Sequence, residues 1–365
     1  MDVIRRNFFR IIKNSVFGGD EKVEPMSNWK WNQLLVMAGE HGVDAIVMDG
    51  IKPFINNGTL CMKKELLEKW NSRVAAIQNS NHEMNVALAA IFKEFSHQQL
   101  RPILMKGLEL SLLYPVPEHR TCRKIDILFN YEPQADKADV WAKENGKNID
   151  DSDKRKLGYY WMGVRTENHR YMQVLMNRRL NKQLQRIVNG EIRCCDSSYV
   201  DINGMRVEVL PPTMNLLLLL INISRTVIDD GLDMKQIVDL GLFLRKMGDK
   251  VDFVKFQLWI ESLKMVRMAQ VIGILLIRLF DFEKEEIPFV HHENDVAAKA
   301  LLKEIMYGSR ISHFQPIENA GTLRKETHSV FFHLRRCSKY VKCYPREVHS
   351  TAISRIAHSL NQVEE

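Results

Sequence analysis

The residues best suited to chemistry lie in one short stretch, "HRTCRKIDILF" at residues 119–129. Its second half is apolar apart from Asp126, and this pattern predicts a buried strand from Ile125 to Phe129. Lys124 lies two residues before Asp126, so both side chains are on one face of that strand, roughly 6 to 7 Å apart. An ammonium at that spacing can pair directly with the carboxylate. The alternative is an exposed lysine beside an acid at a strand edge, with no site.

A second candidate precedes this stretch in "RPILMKG", residues 101–107. Lys106 and Gly107 follow a short apolar run that predicts a strand, and they precede a short helix, "LELSLLY". Backbone N–H groups at the start of a helix can hold phosphate, and glycine permits close approach. An ordinary strand-to-helix turn explains the same two residues equally well.

The elements that position these residues form three regions, and the predicted class is α+β. Residues 1–98 predict helices, including a helix-turn-helix unit at 28–47 and a long helix at 64–98. Residues 99–210 predict a small mixed sheet, and residues 211–365 predict helices to the end, with "PIENAGTLRKE" as a surface loop. The other strands of the sheet are predicted in "YYWMGV", in "RYMQVLM" and in a hairpin turning at Asn203-Gly204.

Composition limits the class of protein. No apolar run reaches the roughly 20 residues of a membrane span. The N-terminus lacks the features of a secretory signal, and its amphipathic pattern predicts a basic helix that docks on the core or lies on a membrane. Six cysteines without a C-x-x-C pair predict reduced thiols, no structural metal and a cytoplasmic protein. The net charge of +7 favours anionic partners such as nucleotides or nucleic acid.

Three segments together resemble an uncharacterised bacterial nucleotidyltransferase family of the polymerase-β-like superfamily. In "ILMKGLELSLLYPVPEHRTCRKIDILF" the matching residues are Lys106-Gly107, Tyr114-Pro115, Arg120, Ile125 and Asp126. In "DGLDMKQIVDLGLFL" they are Gly231, Gln236 and Asp239, and in "YVKCYPREV" they are Tyr344-Pro345. The resemblance implies a nucleotidyltransferase fold, an ATP-like nucleotide, and Lys106, Gly107 and Arg120 as phosphate-binding residues.

The resemblance also implies a metal site, from which this sequence departs. The family pattern places two aspartates as D-x-D on one strand and a third acid in a V-E-L-H-like strand, and such carboxylates hold magnesium ions for nucleotidyl transfer. Here Lys124 stands at the first aspartate, and Asp126 remains as the catalytic and metal-binding candidate. The third acid is predicted to be missing, because "MQVLMN" at 172–177 offers Val174 and because Glu167 and Asp201 fit poorly.

Three functions follow from these residues. The first is a nucleotidyltransferase-like protein that binds a nucleotide but has impaired or lost metal-dependent transfer, with Lys124 in the place of a metal ligand. The second is a basic module that binds nucleic acid or an acidic protein through helices such as "NRRLNKQLQR". The third is an active transferase with relocated acids, which alone would require magnesium.

Overall fold

A computed structural model describes residues 2–194, 197–292, 295–307 and 322–364. Within these ranges the chain forms fourteen α-helices and one seven-stranded sheet. The sheet lies in the middle of the sequence with helical regions on both sides, which confirms the predicted α+β class.

The N-terminal region is helical, as its apolar periodicity predicts. Phe8, Ile11 and Ile12 of the first helix are fully buried, which confirms that this basic helix docks on the core. It approaches the third helix closely, because a Cβ built on Gly50 would lie 2.4 Å from the carbonyl oxygen of Ile11. The four helices are α1 (Val3–Val16), α2 (Asn28–Glu40), α3 (Asp44–Asn56) and α4 (Lys64–His97).

The central region contains the sheet and three helices. In chain order its elements are β1 (Ile103–Met105), α5 (Gly107–Ser111), β2 (Ile125–Leu128), α6 (Glu132–Asn145), β3 (Lys147–Asp150), β4 (Lys156–Trp161), β5 (Val164–His169), α7 (Arg178–Cys194), β6 (Ser198–Ile202) and β7 (Met205–Val209). The strand order is β3-β4-β5-β2-β1-β7-β6. Strand β2 is parallel to β5 and antiparallel to β1, and β1 is parallel to β7, so the sheet is mixed.

Two of the predicted strands are wrong in position. The segment "YYWMGV" crosses a hairpin turn, because Met162 and Gly163 both have positive φ, 49° and 81°, between β4 and β5. Two consecutive residues with positive φ are typical of tight hairpin turns. The predicted Asn203-Gly204 hairpin is confirmed between β6 and β7.

The segment "RYMQVLM" forms no strand, although its composition favours one. The backbone N–H groups of its last three residues donate to side chains instead of to a neighbouring strand. The amides of Met176 and Asn177 donate to the Glu347 carboxylate at 2.6 and 3.0 Å, and the amide of Leu175 donates to Asn181 Oδ1 at 3.1 Å. Because these donors are satisfied locally, the segment has no need of a ladder partner.

The C-terminal region is helical, as predicted. The segment "PIENAGTLRKE" was predicted as a loop; residues 316–321 lie outside the described residues, and a helix already begins at Thr322. The sequence pattern did not indicate one of these helices, Val296–Tyr307. The helices are α8 (Pro212–Asp229), α9 (Met234–Met247), α10 (Phe253–Ser262), α11 (Val266–Phe280), α12 (Val296–Tyr307), α13 (Thr322–Tyr340) and α14 (Pro345–Glu364). Among the described residues, no helix combines the length and apolarity needed to cross a bilayer.

The two faces of the sheet belong to different cores. Ile125 and Ile127 of β2 pack in a core with α4 and α6, whereas Leu128 packs in the core that unites the N-terminal and C-terminal helices. Since side chains alternate along a strand, Asp126 projects from the Leu128 face. The boundaries at residues 98 and 210 stay a prediction.

Candidate functional site

The central pair of strands brings two acids together. Asp126 on β2 is in register with Glu167 on the parallel strand β5. Residues in register on neighbouring strands project to the same face, so both carboxylates lie side by side. Both residues are buried, at 4% exposure each, in a part of the protein where an unneutralised pair of carboxylates would be costly.

Lysine side chains neutralise this pair. The Lys124 ammonium lies 3.1 Å from Asp126 Oδ1 and 2.5 Å from Glu167 Oε2, so it bridges the two acids. Lys156 lies on the adjacent strand β4, in register with His169 of β5. Its ammonium group donates to Glu167 Oε2 at 2.9 Å. The predicted pairing of Lys124 with Asp126 is therefore present, with Glu167 as an additional partner.

His169 completes the cluster. It lies two residues after Glu167 and so projects from the same face of β5. Its Nε2 is 2.7 Å from Asp126 Oδ1 and 3.4 Å from Glu167 Oε2. Since an ionised carboxylate only accepts hydrogen bonds, Nε2 carries the hydrogen in this arrangement.

Arg165 adds a further positive charge on the same face of β5. Its Nη2 lies 3.6 Å from Glu167 Oε1 and 3.0 Å from Asp150 Oδ2. Gly158, which is in register with Glu167 on β4, makes room for this guanidinium, because a Cβ there would lie 2.2 Å from Arg165 Nη2.

These contacts keep both acids ionised. Burial would raise the pKa of Asp126, but the charges on Lys106 and Lys124 and the hydrogen bond from His169 outweigh it, and this pKa falls well below its ordinary value. The pKa of Glu167 is lowered in the same way, against its burial, by hydrogen bonds from His169, Lys124 and Lys156. Burial lowers the pKa of Lys124, but the two carboxylates raise it above the ordinary value, so the lysine stays charged.

The prediction that the third acid is missing is wrong. The V-E-L-H-like strand is β5, where "TENH" places Glu167 and His169 at the acid and the histidine of that pattern, and Val174 lies outside the sheet. From the sequence alone, Glu167 fits the pattern poorly; its segment "VRTENH" is polar, whereas the apolar "MQVLM" that follows favours a strand more strongly. Asp201, the other acid considered, is exposed in the β6–β7 hairpin, where it accepts a hydrogen bond from the Gly204 amide at 2.9 Å.

Lys106 and Gly107 lie at the edge of the same site. Both have positive φ, 59° and 40°, which turns the chain sharply from β1 into α5. Burial lowers the pKa of Lys106, while the nearby charges of Asp126 and Lys124 act in opposite directions on it. Helix α5 has only five residues, so its dipole is small, and the role of Lys106 and Gly107 in binding phosphate stays a prediction.

Arg120, the remaining phosphate-binding candidate, is engaged elsewhere. Its Nε and Nη2 donate to the two carboxylate oxygens of Asp239, both at 2.8 Å, and all of these atoms are buried. Tyr114 donates to the same carboxylate at 2.7 Å. Asp239 thus pairs within the fold, and a role of Arg120 in binding phosphate stays a prediction.

Another buried acid, Glu109 on α5, accepts no hydrogen bond from a cationic side chain among the described residues. The Asn215 side-chain amide donates to one of its carboxylate oxygens. Burial raises the pKa of Glu109 to about 8, against the opposing effect of the Asn215 hydrogen bond. The remaining oxygens of both side chains, Glu109 Oε2 and Asn215 Oδ1, are buried without a partner, and a proton on the carboxyl group would allow one to donate to the other.

The cluster has the composition of an incomplete metal site. Among the described residues, Asp126, Glu167 and His169 offer ligand atoms that all lie within 4.8 Å of one another. Magnesium prefers oxygen ligands in octahedral geometry, whereas an imidazole suits zinc or another transition metal. Two carboxylates with a lysine between them therefore fit magnesium poorly, because the ammonium lies where an ion would bridge the acids.

The site thus lies on a mixed sheet with paired acids on adjacent central strands and with helical regions on both sides in an α+β fold. A family model described as "Uncharacterised nucleotidyltransferase" matches residues 27–281. The chain belongs to this family, which confirms the resemblance.

Two further comparisons complete the description. No curated protein matches the chain. A solved structure, an antigenic nucleotidyltransferase-like protein from Paracoccidioides brasiliensis, is 13% identical and covers 45% of this chain and 76% of that chain, with a TM-score of 0.33. A similarity at that TM-score supports no argument about this chain.

Proposed function

We propose that this protein binds the phosphates of an ATP-like nucleotide without a metal ion and that its nucleotidyl transfer is impaired or lost. The family supports a nucleotide as the class of ligand. The observation that carries the proposal is the Lys124 ammonium, which bridges Asp126 and Glu167 at 3.1 and 2.5 Å.

The charge balance of the site favours an anion. Two carboxylates are surrounded by the cationic side chains of Lys106, Lys124, Lys156 and Arg165. The fixed charges therefore sum to a positive value even with His169 neutral. A low-dielectric site with an excess of one sign of charge attracts ligands of the opposite sign.

The same arrangement opposes catalysis through two metal ions. Nucleotidyl transfer of this kind needs ions that clamp the attacking and the leaving oxygens. With Lys124 in the first aspartate position, only two carboxylates remain, and both already accept hydrogen bonds from cationic side chains. A nucleotide would be held by the lysines, while the positions that activate the reaction would lack their ions.

One observation favours a second function, an active transferase. The Lys124 side chain is 35% exposed, whereas those of Asp126 and Glu167 are only 5% and 6% exposed. A lysine with that exposure can swing into solvent. Asp126, Glu167 and His169 could then hold a divalent ion, with Lys156 still donating to Glu167, and magnesium or manganese would be the cofactor.

Calorimetric titration with ATP tests the proposal, once in EDTA and once with magnesium. We expect binding in EDTA that magnesium does not strengthen, and no labelled product after incubation with α-³²P-ATP. Lys124→Gln should weaken this binding, and Lys147→Gln, on the exposed edge strand β3, is the matched control that should not. Binding that requires a divalent ion, together with labelled product, would support the active enzyme instead. Absence of ATP binding under both conditions would contradict both functions.

The state of the cysteine thiols is relevant to the cellular compartment of the protein. The five cysteines in the described part of the chain are all free, and Cys122, Cys337 and Cys343 are buried. Free thiols are typical of reducing compartments. We therefore propose the cytoplasm as the location of this protein.

A further inference from the structure

Helix α7 presents an unusually basic surface to solvent. With 100° per residue, six of its exposed positions fall within one arc of about 100° around the helix axis. Five of them are cations and the sixth, Asn189, is neutral. The five, which we call the α7 basic face, are Arg178, Arg179, Lys182, Arg186 and Arg193.

None of these five side chains is neutralised within the part of the chain that the structure describes. The one acid of the helix, Glu191, projects from the opposite side and pairs with Lys255 at 3.1 Å. Leu180, Leu184 and Val188 are buried on that opposite side and fix the orientation of the helix. The basic face is therefore a permanent surface of the folded protein.

We infer that the α7 basic face binds the phosphate backbone of a nucleic acid. A protein partner would require an apolar, largely uncharged centre of the interface, and the arc contains no apolar side chain. A membrane would require the apolar face of the helix, which is already buried in the core. Four arginines and one lysine along a single helix face, without apolar side chains among them, match a chain of phosphates. This inference goes beyond the proposed nucleotide site and does not depend on it.

The number and spacing of the cations on the α7 basic face predict how strongly binding should depend on salt. Arg178 and Arg193 are fifteen residues apart, so the cations extend over about 22 Å of helix. If all five contact phosphates, log K should fall with log salt at a slope of about −3.5 for single strands and about −4.5 for double-stranded DNA. Loss of three contacts should reduce the steepness of this slope by about 2 to 3 and weaken binding by roughly a hundredfold or more at 0.1 M salt.

The test is fluorescence anisotropy with labelled 20-nucleotide RNA and with DNA, single-stranded and double-stranded, over a range of salt concentrations. The variant is Arg178→Glu/Lys182→Glu/Arg186→Glu. The matched control, Lys64→Glu/Lys69→Glu/Lys93→Glu, changes the net charge equally at exposed positions of α4. Thermal unfolding checks that both variants fold, and ATP titration checks that the nucleotide site is unchanged.

Salt-dependent binding that the α7 variant loses and the α4 variant retains would support the inference, and the preferred nucleic acid identifies the source of the phosphates. Three outcomes would overturn it: no binding of any nucleic acid at 0.1 M salt, equal losses in both variants, or equally tight binding of polyglutamate or of vesicles that contain phosphatidylserine.

Discussion

Replacing Lys124 with aspartate tests whether this lysine excludes a divalent ion. The change restores an acid two residues before Asp126, on the face that also carries Glu167. We expect the variant to bind manganese or magnesium at the position that the ammonium occupies in the natural protein.

The size of the effect follows from the distances. An ion that bridges the two carboxylates would lie about 2.1 Å from their oxygens. The Lys124 nitrogen lies 3.1 Å from Asp126 Oδ1 and 2.5 Å from Glu167 Oε2, so the ion would be at most about 5 Å from the ammonium. The repulsion between charges of +2 and +1 at that distance is about 7 kcal/mol at an effective dielectric constant of 20 and about 2 kcal/mol in bulk water. Because Lys124 is 35% exposed and can move away, the lower part of this range applies.

Isothermal titration with manganese chloride measures the change directly. Removal of about 2 to 4 kcal/mol of repulsion corresponds to a gain in affinity of roughly thirtyfold to a thousandfold. Lys124→Met, which removes the charge without adding a ligand, should show this gain, and Lys124→Asp, which also adds a carboxylate ligand, should exceed it. In EDTA, both variants should bind ATP more weakly than the natural protein does.

Two results would refute the reasoning. If both variants fold normally and bind manganese no better than the natural protein, Lys124 does not occupy an ion position. If the natural protein already binds manganese at micromolar concentrations, the ammonium moves aside at negligible cost, and the active-transferase function gains support.

Three further predictions concern buried groups around the site. Because the pKa of Glu109 is raised from 4.5 to about 8, the folded state binds a proton that the unfolded state releases between these values, so stability falls as the pH rises from about 4.5 to 8. The free energy of unfolding should fall by at most on the order of 4 to 5 kcal/mol over this range. Glu109→Gln should abolish this difference between pH 5 and pH 8.5 in urea unfolding, and an unchanged pH dependence in the variant would contradict the prediction. Asp239→Asn leaves the buried Arg120 guanidinium without its counter-charge and should cost about 3 to 5 kcal/mol in the same assay at pH 7, whereas a loss below 1 kcal/mol would show that the pair is not essential. Gly158→Ala pushes Arg165 away from the acids and should weaken ATP binding in EDTA several-fold with little change in melting temperature; unchanged affinity would exclude Arg165 from the site.

The sequence predicts those parts of the fold whose signals are local. Helices such as α4 and α8 follow from apolar periodicity over many turns, and the β6–β7 hairpin follows from its Asn-Gly turn. The apolar pattern placed Asp126 correctly on a central strand, and Lys124 lies directly before that strand. Each of these predictions depends on residues that are close together in the chain.

The part of the site that sequence reasoning missed depends on pairing over long distances. Glu167 lies beside Asp126 only because β2 and β5, which are about forty residues apart in the chain, pair in parallel register. The polar "VRTENH" gives a weak strand signal, whereas the apolar "MQVLM" gives a strong one, but the Glu347 carboxylate from α14 satisfies the backbone of that second segment. The hydrogen bond from Lys156 to Glu167 was missed for a similar reason. It depends on the pairing of β4 with β5, and the sequence pattern did not place the hairpin between these strands correctly.

The neutralisation of the two acids explains how this site can persist without metal. Two buried carboxylates in register repel each other unless cations compensate for them. In a metal-dependent site, divalent ions provide that compensation, so the carboxylates lose part of it when the ions leave. Here Lys124 and Lys156 provide it through covalently attached ammonium groups at 2.5 and 2.9 Å from Glu167, and His169 adds a hydrogen bond to Asp126 at 2.7 Å. One substitution, a lysine at the first aspartate position, can therefore both displace the ion and preserve the fold that the ion would otherwise stabilise. That combination favours a protein that retains a phosphate-binding surface after losing the chemistry.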